Sequence, residues 1–453
     1  MLSKNQIVTL TIQNITNEGM GVGRFEGMAV FVAESAPGDV LRVRIVKVSR
    51  NLCYGIIEVI LEPSPSRIRP NCHVFGRCGG CALRHIDYNA ELLIKNGWVK
   101  ENLQRIGGVN PPMSPPIGSG DDRYRNKAIF PVRTINGKIV IGFFARRSHR
   151  VIEPGDCLLH PAEFALLAEA LHGWMEENNV SAYDEVLHKG SVRALFLRKA
   201  EATGQIMACV VSKKSGLPNE PGLIDALRVA CPAVCSVILN TNAKKTNVLL
   251  GASCRTLWGS DTITDRLGGI SVTLSPLSFY QINRAGAERL YAIAADYAGL
   301  TGKELLIDLY CGAGTIGLSL ANKARQLIGV EIVPEAVEDA IRNAAENGIT
   351  NARFLCADAG EAARQLEKEG LHPDVIILDP PRKGCDAAVI HTAVRMAPKR
   401  IVMVSCDSAT AARDVAAFEK LGYTAEKAQT VDMFPRTAHV ECVVMMSRIS
   451  GGK

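Results

Sequence analysis

Two side chains of this chain combine a reactive group with a setting that could activate it, Cys406 and Glu441. Cys406 follows the apolar run RIVMVS and precedes Asp407-Ser408 and the helical stretch ATAARDVAAFEKLG. A thiol between a strand end and a helix N-terminus feels a dipole that lowers its pKa and favours the nucleophilic thiolate. Arg413, seven residues on, is expected to add to this effect. Glu441 sits within HVECVVMM, an otherwise apolar strand. A carboxylate there is either partnered or held at a raised pKa for proton transfer. A thiolate that adds to C6 of a uracil-type ring makes C5 enolate-like and able to take an electrophilic carbon. A base must then remove the C5 proton so that the thiolate can leave. One cysteine and one carboxylate supply both needs.

A second constellation binds rather than reacts. Gly312-Ala313-Gly314-Thr315-Ile316-Gly317 is a G-x-G-x-x-G between the apolar ELLIDLYC and a helical stretch. Glycines there let backbone approach a ligand at a helix N-terminus, as in dinucleotide sites. Glu331 ends the next strand, where a carboxylate can take both hydroxyls of a ribose. Asp308 precedes the glycine turn, and Asp358 and Asp379 end later strands, Asp379 within Asp379-Pro380-Pro381. Carboxylates along the strand ends of an open α/β sheet favour a ligand carrying sulfonium and ammonium charge over a pyrophosphate. Asp358 also reads as a helix N-cap.

A third group is Cys72-x5-Cys78-x2-Cys81, with Gly76, Gly79 and Gly80 permitting tight wrapping. Cys157 is the candidate fourth ligand. The spacing fits zinc or a [4Fe–4S] cluster. Fourteen cysteines in a chain with no apolar signal core at its start and no apolar run of eighteen residues suggest reduced thiols in a cytoplasmic protein without a membrane segment. Residues 62–150 carry fifteen Lys/Arg against six Asp/Glu, an excess of nine that suits a phosphate-binding surface.

The elements that must position these groups divide the chain into three. Residues 1–61 alternate β-branched residues between Gly and Asn turns and predict a small OB-like barrel. Residues 62–270 mix strands and helices in a central α+β domain, with a helix over 89–106 and a Pro-rich break at 110–118. From 271 to 453 strand and helix alternate at the spacing of a doubly wound, Rossmann-like α/β sheet.

The joint set Ser278-Phe279-Tyr280-Gln281-Ile282-Asn283, Asp308-Leu309-Tyr310-Cys311-Gly312, Asp379-Pro380-Pro381-Arg382-Lys383-Gly384, Ser405-Cys406-Asp407 and Thr437-Ala438-His439-Val440-Glu441 closely resembles the RNA uracil-C5-methyltransferase family. The resemblance covers most of the chain. It implies Cys406 as nucleophile, Glu441 as base, and Gln281, Tyr310, Glu331 and Asp379 as contacts to S-adenosylmethionine. The barrel and the cysteines resemble the TRAM domain and the [4Fe–4S] site of the family's ribosomal-RNA branch. That branch implies Cys72, Cys78, Cys81 and Cys157 as cluster ligands and large-subunit ribosomal RNA as partner. No obligate protein partner is expected. Transfer RNA is the alternative substrate, and a non-catalytic iron–sulfur RNA-binding protein the remote one. Exocyclic amine methylation is disfavoured, since Arg382 stands where an aromatic would stack on the base. Chemistry at C5 and C6 requires the base to leave its stack, with Phe279 or Tyr280 filling the gap or stacking on it.

Overall fold

The computed structural model describes residues 2–449. Strands Ile7–Ile15, Met20–Phe25, Met28–Ala33, Val40–Val48 and Leu52–Glu62 close into a barrel in the order first, second, third, fifth, fourth. The third and fifth pair in parallel and the first and fourth antiparallel, the connectivity of an OB-type barrel. Val8, Leu10, Ile12, Val30, Val32, Leu41, Val43 and Ile45 alternate inward and form its core. The strand Met20–Phe25 has no β-branched alternation to announce it. Its inward positions are glycines, and a Cβ at Gly21 would stand 1.9 Å from Ser35 Oγ.

The middle of the chain builds a six-stranded sheet in the order Ser253–Gly259, Val234–Thr241, Ile206–Ser212, Val192–Lys199, Lys127–Ile135, Lys138–Ile141. Helices Glu163–Glu177 and Glu220–Ala230 share a core with it, through Phe164, Leu171, Trp174 and Leu227.

The third layer is an eight-stranded sheet in the order Ala352–Cys356, Gln326–Glu331, Leu305–Leu309, Val375–Leu378, Arg400–Ser405, Glu441–Arg448, Tyr423–Val431, Met113–Ile117. The first five strands run parallel with helices between them, which buries both faces of the inner strands and explains their near-continuous apolar sequences. Glu441–Arg448 returns antiparallel to Arg400–Ser405.

Two elements from the middle of the sequence pack on this C-terminal layer. The Pro-rich segment expected only as a break supplies the strand Met113–Ile117, which pairs in parallel with Tyr423–Val431. Prolines are tolerated there because the strand is at the sheet edge. The expected helix is Tyr88–Asn102, continued by a wider turn at Leu103–Gly107. It lies against the helix Ser408–Lys420, with Asn102 Nδ2 donating to Ser408 Oγ at 2.8 Å. Among the described residues no helix is long and apolar enough to cross a membrane.

Candidate active site and cysteine-lined cavity

Antiparallel pairing brings the two reactive candidates together. Ser405 is the register partner of Cys442, so the next position on each strand sets Cys406 opposite Glu441. Cys406 is partly exposed, whereas Glu441 is buried. Burial pushes the Glu441 carboxyl up to about 8, helped by the negative charge of Asp379 and opposed by Arg382. This is the unpartnered form of buried carboxylate anticipated above, able to hold and then take a proton.

Cys406 departs from expectation. Its thiol is pushed up to about 11 by burial and by the charges of Glu441 and Asp379, with Arg382 acting the other way. The helix dipole does not prevail because Asp407 is the N-cap. Its carboxylate accepts the Ala409 and Thr410 N–H groups, both at 3.0 Å, and so occupies the donors the thiolate would have felt. Arg413 is also committed elsewhere, paired with Asp414 at 2.7 Å and donating to the Lys383 carbonyl at 2.9 Å. Asp414 accepts the Cys385 N–H at 2.7 Å. Together they hold the turn after Asp379-Pro380-Pro381, which sets Arg382 close enough to act on both Cys406 and Glu441. Sequence reasoning noted Arg382 only as the residue in an aromatic's place. Its role as the cation of the pair was missed.

The binding constellation assembles at the C-terminal edge of the parallel strands, where open α/β sheets take ligands. Gly312 and Gly314 adopt left-handed conformations, φ 54° and 80°, and Gly314 caps the helix Thr315–Leu320. Tyr310 is also left-handed, at φ 65°. Glu331 accepts the N–H groups of Gly312, Ile332 and Val333 at 3.1, 2.8 and 3.0 Å. The two apolar residues after it, Ile332 and Val333, are exposed at the cleft edge, a feature the sequence reading passed over. Asp308 accepts the Gly317 N–H at 2.9 Å through Oδ2, while its buried Oδ1 has no partner. Burial raises both Asp308 and Asp379 to about 7, with Asp379 and Glu331 adding to the rise at Asp308. Three carboxylates without a counter-cation, one with an orphaned oxygen, fit a ligand that brings positive charge. The Gln281 side chain lies against the Tyr291 hydroxyl, which also bonds Thr315 Oγ1 at 2.8 Å and feels Asp379 and Asp308. Asp358, by contrast, is an N-cap, accepting the Glu361 N–H at 2.8 Å.

The two aromatic candidates separate. Phe279 is 72% exposed, whereas Tyr280 is buried with its hydroxyl donating to Asp265 at 3.0 Å. Only Phe279 is free to stack.

Cys72, Cys78, Cys81 and Cys157 are all free thiols and line one cavity of about 810 Å³. Gly79 lets the loop press onto a neighbouring hairpin, since a Cβ there would stand 3.0 Å from the Phe144 carbonyl. Burial pushes the Cys157 thiol up to about 11, reinforced by Cys81, Cys78 and Cys72. The four surround the cavity without converging on one point. Among the described residues no three His, Cys, Asp or Glu side chains stand close enough to grip a single metal ion. Of the fifteen cations in residues 62–150, seven are within 4 Å of a carboxylate: Arg67, Arg84, Lys95, Arg105, Arg123, Arg133 and Arg147. The basic excess is therefore partly internal, and the remaining cations include Arg125, Lys127 and Arg146 beside the cysteines.

Residues 271–449 match the family described as tRNA (Uracil-5-)-methyltransferase, and residues 3–57 match the TRAM domain. An RNA methyltransferase of Listeria innocua is 41% identical over 448 residues, covering 99% of each chain. One of Clostridium tetani is 40% identical over 447 residues, covering 98% of this chain and 97% of that one. Among solved structures, the tRNA (uracil-54, C5)-methyltransferase of Pyrococcus abyssi with S-adenosyl-L-homocysteine superposes with a TM-score of 0.77. It is 26% identical and the match covers 97% of this chain and all of that one. With a thiol facing a buried carboxylate beside a carboxylate-rich cofactor cleft, the chain belongs to the S-adenosylmethionine-dependent RNA uracil-C5-methyltransferases.

Proposed function

We propose that this protein methylates C5 of a uridine in large-subunit ribosomal RNA through a covalent adduct between Cys406 and C6. The observation that carries the mechanism is the register that sets Cys406 opposite Glu441. The Cys406 thiol gives its proton to solvent, the thiolate sulfur bonds to C6, and C5 becomes the nucleophile. S-adenosylmethionine, when bound, supplies a methyl group on a sulfonium. Gln281, Tyr310, Glu331 and Asp379 hold it, Glu331 at the ribose hydroxyls, with Asp308 presenting its free oxygen to the ligand's positive charge. Ile332 and Val333 offer an apolar floor beside Glu331 for the adenine ring. The donor S–CH₃ bond breaks as the C5–CH₃ bond forms. The Glu441 carboxylate then takes the C5 proton, the C6–S bond breaks with its electron pair on sulfur, and 5-methyluridine leaves with the thiolate released. Positive charge arriving beside Asp379 offsets one of the two carboxylates that hold the Cys406 proton in place, so the thiol ionises more readily in the loaded site.

The target uridine is flipped out of its stack, with exposed Phe279 stacking on the base or filling the gap it leaves. The four thiols fit a [4Fe–4S] cluster better than a single zinc. Zinc–sulfur bonds of about 2.3 Å would draw the sulfurs together at one point, whereas these ring a cavity. Such a cluster has a structural role here.

The assignment to ribosomal RNA rests on the barrel together with the exposed cations of the cysteine segment and the hairpin beside it, Arg69, Arg77, Arg146 and Arg150, as a backbone-binding surface. A specific observation favours the second reading, transfer RNA. The Pyrococcus enzyme, a tRNA methyltransferase, aligns with 97% of this chain, so this layout is not peculiar to enzymes of ribosomal RNA. Unmodified ribosomal and transfer RNA transcripts offered in competition, with 5-methyluridine mapped by mass spectrometry, separate the two. Methyl groups only in transfer RNA overturn the assignment. Full turnover by Cys406→Ala overturns the mechanism.

A further inference from the structure

Residues 432–440 leave the sheet after Val431 and return at its register partner Glu441, so the set of this loop fixes where the carboxylate stands over Cys406. The loop is gripped by a buried charge network. Glu91 and Lys95, one turn apart on the helix Tyr88–Asn102, are both fully buried and 2.8 Å apart. Lys95 Nζ also donates to Asp432 Oδ1 at 2.8 Å and to the Phe434 carbonyl at 3.1 Å. Glu91 accepts the Arg436 backbone N–H at 2.7 Å. The Arg436 guanidinium donates to the Ile86 carbonyl at 2.6 Å and pairs with Asp121. Arg436 itself is held at φ 68°, which places its carbonyl to accept the N–H groups of Ala82 and Leu83 at 2.8 and 3.0 Å. Those residues directly follow Cys81, so the cysteine loop hangs from the same anchor.

The leading charges on Cys406 and Glu441 are those of Glu441, Asp379 and Arg382, not those of this network. Nor is the network an economical way to hold a helix on a sheet. Apolar side chains of the same volume commonly stabilise as well or better, because buried ions must be stripped of water. What the charges impose is one geometry, since each donor and acceptor tolerates little displacement.

We propose that Glu91, Lys95, Asp432 and Arg436 form a clamp that positions the loop carrying the base, and so are positioning residues for proton removal and thiolate release. The proposal rests on the reading of Glu441 as base. A misplacement of the order of 1 Å at a reacting group costs roughly a hundredfold in rate. The clamp acts on the step after methyl transfer, so its loss should separate the two half-reactions.

The test uses full-length Glu91→Gln and Lys95→Met with a uridine-containing RNA transcript and S-adenosylmethionine. Rapid quenching onto a denaturing gel follows the protein–RNA adduct. The expected result is adduct formation and S-adenosylmethionine affinity within about threefold of the parent, with release slowed about a hundredfold. Release at the parent rate in folded variants overturns the clamp. Equal losses in cofactor binding, adduct formation and release also overturn it, because they describe a merely structural role. If Lys95→Met does not fold, Asp432→Asn decides, since it keeps an acceptor oxygen for Lys95 and Phe434. Glu441→Gln is run alongside. If it fails to trap the adduct, the reading of the base fails. If it traps the adduct and the clamp variants do not, only the clamp fails.

Discussion

The Glu441 carboxyl stands near 8 against an ordinary value near 4.5, and this predicts how release depends on pH. A rise of that size corresponds to about 5 kcal/mol in favour of the neutral acid. At pH 7 about one molecule in ten then carries the carboxylate that can accept the C5 proton. Release should rise about tenfold per unit from pH 6 to near 8 and level off above it. Burial is the leading cause and Asp379 the second, while Arg382 pulls the value down. Arg382→Met should therefore move the midpoint further up and slow release at pH 7, without removing the plateau at high pH. The assay forms the adduct with labelled RNA, quenches at intervals from pH 6 to 9.5, and reads adduct decay on a denaturing gel. Glu441→Gln should show almost no decay at any pH. Decay independent of pH in the parent protein, or decay at the parent rate in Glu441→Gln, would refute the assignment of the base.

The buried acids of the cofactor cleft also set a stability profile. Asp308 and Asp379, near 7 when folded, keep protons that the unfolded chain has released. Their contribution is full below about pH 4 and is lost as pH rises through 7. Thermal scans of the ligand-free protein should show this loss, Asp308→Asn should flatten it, and an unchanged slope in that variant would count against the reading. S-adenosylmethionine should raise the melting temperature more at pH 8.5 than at 5.5, because its positive charge meets ionised carboxylates only at the higher pH. For the cysteine cavity, anaerobically purified protein should be brown with about four irons per chain, and Cys157→Ser should lower the iron content. One equivalent of zinc without iron would overturn the cluster.

What could be read in the sequence follows a physical division. The strands Leu305–Leu309, Gln326–Glu331, Val375–Leu378 and Arg400–Ser405 were legible because burial on both faces demands near-continuous apolar runs. The glycine turn was legible because left-handed backbone at Gly312 and Gly314 excludes most other residues. The barrel strand Met20–Phe25 was not, since close approach replaced its inward side chains with glycines and removed the periodicity. Nor was the edge strand Met113–Ile117, whose prolines read as a break and whose partner lies more than three hundred residues away.

Electrostatics was the least legible part, and the reason bears on function. Local context assigned Cys406 a depressed pKa from the helix that follows it. The folded protein gives that helix to Asp407, buries much of the thiol, and sets beside it Glu441 and Asp379, which arrive from other strands. The leading cation acting on it, Arg382, comes from a turn held by Arg413 and Asp414. On the proposed mechanism the resting site therefore keeps the Cys406 thiol protonated. A thiol near 11 is a poor target for oxidants at neutral pH, because reactivity belongs to the thiolate. Activation then depends on a change in the local charge, namely the cationic donor settling beside Asp379. On the proposed mechanism the Cys406 thiol is then most reactive when the methyl donor is already in place.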